Sequence, residues 1–215
     1  MQDINQALFF IAHGFTLTLE LLAGGVITGF ALGIFWAICR YQSIVSFPVK
    51  GMISILRGTP LILQLSLIYF ATPALTGLHP DILIAGIIAF GLNSSAYFAE
   101  LLRAGIDSLP KGQFEAASTL EIKGLYLWKD IVLPQVLRNS LPAMINEVIA
   151  LLKETALIST IGGMDLMRSS QTVAAEQFTY FLPLCIAGAY YYCLVLLIEL
   201  VGRFLEKRGQ YAVYP

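Results

Sequence analysis

Charge is scarce in this 215-residue chain: Asp, Glu, Lys and Arg make up 13% of it, against 57% hydrophobic residues, and the mean hydropathy is +0.75. Soluble domains carry about 25% charged residues, so the shortage excludes an ordinary water-soluble globule and points to an integral membrane protein. Thirteen basic and fourteen acidic residues leave a net charge of −1. With no basic excess to neutralise phosphates, nucleic acid is excluded as the main partner. Cysteine is rare too. Cys39, Cys185 and Cys193 lie in apolar stretches without CxxC or Cys/His spacing, which excludes a disulfide framework and a zinc site and leaves small lipid- or core-facing side chains. The two histidines, His13 and His79, form no metal pair. No GxxxxGK[ST], HExxH or GxSxG run occurs, so no nucleotide P-loop, metal centre or catalytic residue is expected, and the chain is not read as an enzyme. The opening MQDINQ has no basic n-region or cleavage site, so the first apolar stretch is expected to remain as a true span.

What is present is long apolar segments. Crossing a hydrocarbon core about 30 Å thick takes about 20 apolar residues in a helix, and five segments qualify: about Gly14–Ile38, Ile53–Leu75, Ile82–Leu102, Leu141–Ile161 and Leu182–Phe204. Lys and Arg accumulate in cytoplasmic loops. Arg40, Lys50 and Arg57 lie at the first connection, Arg103, Lys111, Lys123, Lys129 and Arg138 at the third, and Arg203, Lys207 and Arg208 at the C-terminus. The N-terminal segment and the loop His79–Asp81 have neither residue, and Gly162–Phe181 has Arg168 alone. The expectation is one all-α membrane domain over residues 1–215, with five transmembrane helices, the N-terminus outside and the C-terminus cytoplasmic.

The longest cytoplasmic connection, about Ala104–Ser140, is polar yet keeps apolar residues at helical spacing, so it is expected to hold short helices, with Pro110 opening the first. The outer loop Gly162–Phe181 is expected to lay a short helix on the outer surface. Gly24, Gly25, Gly29 and Gly33 suit close helix approach, Trp36 an interfacial anchor, and Tyr190–Tyr192 packing with a hydroxyl bond.

Within the cytoplasmic loop, Gly112–Gln135 reads GQFEAASTLEIKGLYLWKDIVLPQ. It resembles the EAA loop of ABC importer permeases. Glu115, Ala116 and Ala117 match the opening, and Ile131, Leu133 and Pro134 match the Ile-x-Leu-Pro close at the family's spacing. The usual Gly position holds Glu121, where a side chain would be strained at positive φ; either Gly124 relocates the turn or the loop tolerates Glu. RGTPLILQ (Arg57–Gln64), AYFAELLRAGIDSLPKGQFEAA (Ala96–Ala117), LPQVLRNSLPAMIN (Leu133–Asn146) and LLKETALISTIG (Leu151–Gly162) extend the resemblance over nearly the whole chain, toward the branch that imports polar amino acids.

The resemblance implies a type I ABC importer permease fold in the bacterial inner membrane, with a cytoplasmic coupling helix. It also implies a second permease copy or a homologous permease, an ATP-binding subunit dimer that carries ATP and Mg so that this chain needs no cofactor, and a periplasmic or lipoprotein solute-binding protein. Glu115, Ala116, Ala117 and Glu121 would then seat the coupling helix on the ATPase, the small alanines allowing close approach. The other reading of Glu115 is a surface helix cap.

Ionisable groups inside spans are costly and usually face a bundle interior or water. The substrate-path candidates are Asn93, Ser94, Tyr97, Asn146, Glu147, Lys153, Glu154 and Thr155. A zwitterionic amino acid would meet both signs of charge there; alternatively Lys153 pairs with Glu147 or Glu154 and only fixes packing. Glu100 and Arg103, an i, i+3 pair, read as a structural bridge, while Glu20 and Glu199 have no evident partner. The acid excess favours a neutral or cationic amino acid, with an opine or organic acid as other cargo. The competing function is an ion-coupled secondary transporter or channel, against which stands the absence of an inverted repeat.

Overall fold

The computed structural model of the chain describes residues 4–41 and 46–211; Met1–Asp3 and the Arg208 side chain lie outside it. The described residues are helical without a strand. In order they form α1 (Ile4–Ala12), α2 (Phe15–Tyr41), α3 (Ser46–Gly58), α4 (Leu61–Ser66), α5 (Thr72–Thr76), α6 (Ile82–Asp107), α7 (Lys111–Thr119), α8 (Gly124–Tyr126), α9 (Leu133–Glu154), α10 (Leu166–Gln177) and α11 (Phe181–Tyr211). π turns link α4 to α5 (Leu67–Ala71) and α8 to α9 (Leu127–Val132), and a 3-10 turn, Thr155–Ile161, extends α9. Each π turn sits just ahead of a proline, Pro73 or Pro134. A proline has no N–H to donate and its ring crowds the carbonyl four residues back, which the wider turn relieves.

Three helical runs are long and apolar enough to cross a membrane: Ile4–Arg40, Ile82–Asp107 and Phe181–Lys207. A fourth is the pair Ser46–Gly58 and Leu61–Thr76 if counted as one, although it bends by 101°. The expected second span is therefore broken at Thr59–Pro60, where proline stops one helix and its predecessor is driven out of the helical region. The expected fourth segment is covered by α9 and the 3-10 turn after it, and α9 starts eight residues earlier, at Leu133. Arg138, Glu147, Lys153 and Glu154 make α9 too polar to pass as an apolar run. The N-terminal segment ahead of the expected first span contains helix α1, and the apolar run continues from it through His13–Gly14.

The central helix is α6, and α2 packs along its length. A Cβ at Gly29 would lie 2.9 Å from Ser94 Cβ, and one at Gly33 2.6 Å from Phe98 Cβ. The glycines at i, i+4 spacing thus bring the two backbones together, as expected. Toward the start of α6, Leu21, Leu61, Leu65, Phe90, Leu151 and Ile158 form one apolar core; toward its end, Ala37, Phe98, Leu102, Leu109, Val132, Val136 and Met144 form another. A third joins α1, α10 and α11 through Ile11, Leu166, Val173 and Ile186. The short helix expected in the outer loop is α10, and it packs on the bundle through Leu166, Ser169, Ser170, Val173 and Ala174. Trp36 donates to Ser95 Oγ at 3.2 Å and so faces α6. Tyr190 and Tyr191 bond through their hydroxyls to Leu8 O (3.1 Å) and Asp165 Oδ2 (3.0 Å).

Candidate functional site

The break between α3 and α4 strands carbonyls at the end of α3, because no helical N–H follows to meet them. Two side-chain amides take their place. Gln64 Nε2 donates to Leu56 O at 2.8 Å and to Thr59 Oγ1 at 2.8 Å. Asn93 Nδ2, from the middle of α6, donates to Leu56 O at 3.1 Å and to Gln64 Oε1 at 3.2 Å. Asn93 is 4% exposed; burying its amide is tolerable because its hydrogen bonds are made. In the sequence Gln64 stands only at the end of the RGTPLILQ motif. The proline-stopped helix one turn before it was the available signal.

Ser94, on the neighbouring face of α6, is fully buried and donates to Glu147 Oε1 at 2.8 Å, tying α6 to α9. Asn93, Tyr97 and Glu100 recur at i, i+4, i+7 along the face that meets α3. The Arg57 guanidinium lies over the Tyr97 ring, 5.3 Å from its centroid. Glu100 is met by three arginines: Arg40 of α2 in direct contact, Arg103 at 2.9 Å and Arg57 at 3.9 Å; Arg103 also bonds Asp107. The expected Glu100–Arg103 pair is thus one arm of a cluster joining α2, α3 and α6.

The remaining path candidates fall elsewhere. Asn146 is exposed and lines a groove of about 290 Å³ between α9 and α11, with Glu199 and Arg203. Glu199 does have a partner, Arg203 at 3.0 Å. Thr155 is buried and bonds back to Leu152 O at 2.7 Å. Lys153 is exposed and Glu154 half-buried, and among the described residues Lys153 makes no ion pair with Glu147 or Glu154. The structure thus gathers Asn93, Ser94, Tyr97 and Glu147 about α6 and leaves Asn146, Lys153, Glu154 and Thr155 outside that group.

In the loop, α7 ends in a Schellman turn: Ile122 N–H donates to Ala117 O at 3.0 Å and Glu121 N–H to Ser118 O at 3.1 Å. This motif puts its C′ residue in the left-handed region, and Glu121 has φ 51°. The turn has not moved to Gly124, which has no positive φ. Glu115 and Ala116 are exposed, whereas Ala117 is 3% exposed and is spent on the chain's own packing, so of the two alanines only Ala116 is free for a partner. Leu120, Leu125, Tyr126 and Trp128 are exposed around the turn. Gln113 and Gln135 exchange amide hydrogen bonds at 3.0 and 2.9 Å, fastening α7 to the start of α9.

Asp165, not singled out from the sequence, is the buried joint of the opposite end. It accepts from Arg168 N–H at 2.8 Å, capping α10, and from the Tyr191 hydroxyl. Thr18 Oγ1 accepts from Leu166 N–H at 3.3 Å beside it. Burial pushes the Asp165 carboxyl above the ordinary range, against the pull of the Arg168 and Met167 backbone and the Tyr191 hydroxyl. Gly14 packs directly on the Asp165 backbone, leaving no room for a Cβ.

Comparison with known proteins agrees with this architecture. Residues 29–210 match the family described as binding-protein-dependent transport system inner membrane component. The putative glutamine transport system permease protein of Rickettsia conorii is 45% identical over 203 residues, 94% of this chain and 93% of that protein. The arginine transport system permease protein of Bacillus subtilis is 40% identical over 201 residues, 93% of this chain and 92% of its own length. The solved structure of an amino acid ABC transporter with histidines superposes with a TM-score of 0.88 at 34% identity, covering 97% of this chain and 99% of that one. The chain belongs to the binding-protein-dependent transport system inner membrane component family.

Proposed function

We propose that this chain is the permease subunit of an ABC importer that carries a polar amino acid across the bacterial inner membrane. The observation that carries the reading is the combination of a broken span clamped by the Asn93 and Gln64 amides with an exposed, amide-clamped helix and turn at the base of α9. Relatives named for glutamine and arginine transport and the amino acid transporter neighbour support it. The chain crosses the membrane five times: the Ile4–Arg40 run, the bent pair, α6, α9 with its 3-10 turn, and α11. The N-terminus is outside and the C-terminus cytoplasmic. The charges of α9 fit a crossing because Glu147 turns to Ser94 instead of lipid. Arg40, Lys50, Arg57, Arg103, Lys111, Lys123, Lys129, Arg138, Arg203 and Lys207 then share the cytoplasmic side.

Its partners are a second permease copy or a homologous permease, a dimer of ATPase subunits that binds ATP and Mg and does the hydrolysis, and an external solute-binding protein. α7 presents Glu115 and Ala116 to the ATPase, and the apolar turn residues widen that contact. Asn93, Ser94, Tyr97 and Glu147 form the polar wall of the path. Lys153 and Glu154, exposed or half-exposed on the lone chain, face the second permease or the aqueous route between the two, with Asn146 and Thr155 as supports. Uptake into proteoliposomes holding the permease, its ATPase and its binding protein tests the reading with a panel of amino acids. Uptake that requires ATP and collapses when Glu115 is replaced by lysine is the expected result. Uptake that ignores ATP and follows an ion gradient would overturn it in favour of a secondary transporter.

A further inference from the structure

The arginine cluster at the inner end of α6 is unbalanced. Arg40, Arg57 and Arg103 face two carboxylates, Glu100 and Asp107, so one guanidinium is in excess. Distances identify it. Arg40 is hydrogen-bonded to Glu100 Oε1, and Arg103 takes Glu100 Oε2 at 2.9 Å and Asp107 as well. Arg57 reaches Glu100 only at 3.9 Å, beyond hydrogen-bonding range, and donates no hydrogen bond among the described residues. It is also the most exposed of the three, at 43% of its side chain against 20% and 35%.

The Arg57 head is nevertheless held in place. Tyr97 occupies the face of the guanidinium, which orients the plane and leaves its edge N–H groups unused. An oriented guanidinium with open edge donors matches a carboxylate bidentately. Arg57 is three residues before Pro60, at the broken span lined by Asn93 and Gln64. Glu147 reaches the same stretch of α6: its Oε1 accepts from Ser94, next to Asn93, whose amide holds the carbonyl of Leu56, and its Oε2 makes no hydrogen bond among the described residues. One open guanidinium edge and one open carboxylate oxygen complement an amino acid zwitterion. Lys153, the cation singled out from the sequence, is placed differently. Six residues beyond Glu147 on the same helix, it stands about 9 Å further along the axis and about 120° around it.

We propose that Arg57 binds the α-carboxylate of the transported amino acid, with Glu147 taking its ammonium group. This rests on the amino acid permease reading above. The test is equilibrium binding to the permease–ATPase complex in lipid nanodiscs, without the solute-binding protein. The probes are L-glutamine and L-arginine, each compared with its α-carboxamide, L-glutaminamide or L-argininamide. Wild type should prefer at least one free acid over its carboxamide by tenfold or more. Arg57→Gln should erase that preference by weakening the acid at least tenfold while changing carboxamide binding less than twofold, and Arg57→Lys should restore part of it. Lys153→Gln should leave the preference intact. The proposal is overturned if wild type shows no preference, if Arg57→Gln weakens acid and carboxamide alike, as a purely structural brace on Glu100 or a lipid-phosphate contact would, or if Lys153→Gln removes the preference instead. Any of these with ATP-driven amino acid uptake intact defeats Arg57 alone; loss of that uptake in wild type defeats the permease reading.

Discussion

Replacing Glu121 by glycine tests whether the turn after α7 holds a side chain where the backbone disfavours one. Glu121 has φ 51° at the C′ position of a Schellman turn and is exposed, so its removal loses no packing. A left-handed conformation costs an L-residue about 1–2 kcal/mol. Glycine avoids that cost but gains freedom in the unfolded chain worth about 0.4–1 kcal/mol. The difference favours Glu121→Gly by about 0.5–1 kcal/mol, a factor of about 2–5 in the opening equilibrium. The reporter is the Ile122 amide, which donates to Ala117 O across the turn. Hydrogen exchange at that amide, measured in nanodiscs, should slow by this factor in Glu121→Gly. Glu121→Ala, which keeps a Cβ, should change it less than about twofold. Equal slowing in both variants would locate the effect in the glutamate side chain, and no slowing in Glu121→Gly would refute the strain.

Gly33→Ala should lower the thermal midpoint of the reconstituted protein, because its Cβ would stand 2.6 Å from Phe98 Cβ and overpacking of this kind costs about 1–3 kcal/mol. Gly51→Ala, in α3 with open space around it, should raise the midpoint by the helix preference of alanine, about 0.5–1 kcal/mol. Asp165 binds its proton more tightly folded than unfolded, so its contribution to stability is fully present below the unfolded value of about 4 and is lost as pH rises through the higher native value. Asp165→Asn should flatten that part of the stability profile, followed by thermal unfolding between pH 4 and 8; an unchanged slope would assign it to other groups.

Hydropathy was sufficient to locate α2, α6 and α11 to within a few residues at most ends, since long apolar helices are specified by composition alone. The α6 start at Ile82 also has a local signal, Asp81 accepting from Leu83 N–H. Local spacing also revealed Glu100–Arg103 and the glycines facing α6. It equally contains Glu199–Arg203, an i, i+4 pair. What was not legible depends on rotation and distance. An average over a window runs straight through Pro60 and cannot register a bend of 101°. Depth alone suggested Trp36 as an interfacial anchor, but its rotation on α2 turns it to Ser95. Arg40 and Glu100 are sixty residues apart in sequence, and no local pattern joins them.

These long-range contacts alter how a polar residue in a span should be judged. Asn93 is a substrate-path candidate by depth, yet its amide N–H groups, like those of Gln64, are committed to the stranded carbonyl of Leu56, and Asn93 also donates to Gln64 Oε1. Substituting them would loosen the break between α3 and α4, and a loss of transport would follow from that alone. A group that binds a passing solute needs hydrogen-bonding capacity left over once the fold is satisfied. By that criterion the proposed path runs along the Arg57 edge, the Tyr97 hydroxyl and the second oxygen of Glu147. None of these makes a hydrogen bond among the described residues. The buried amides hold the broken helix in the shape that presents them.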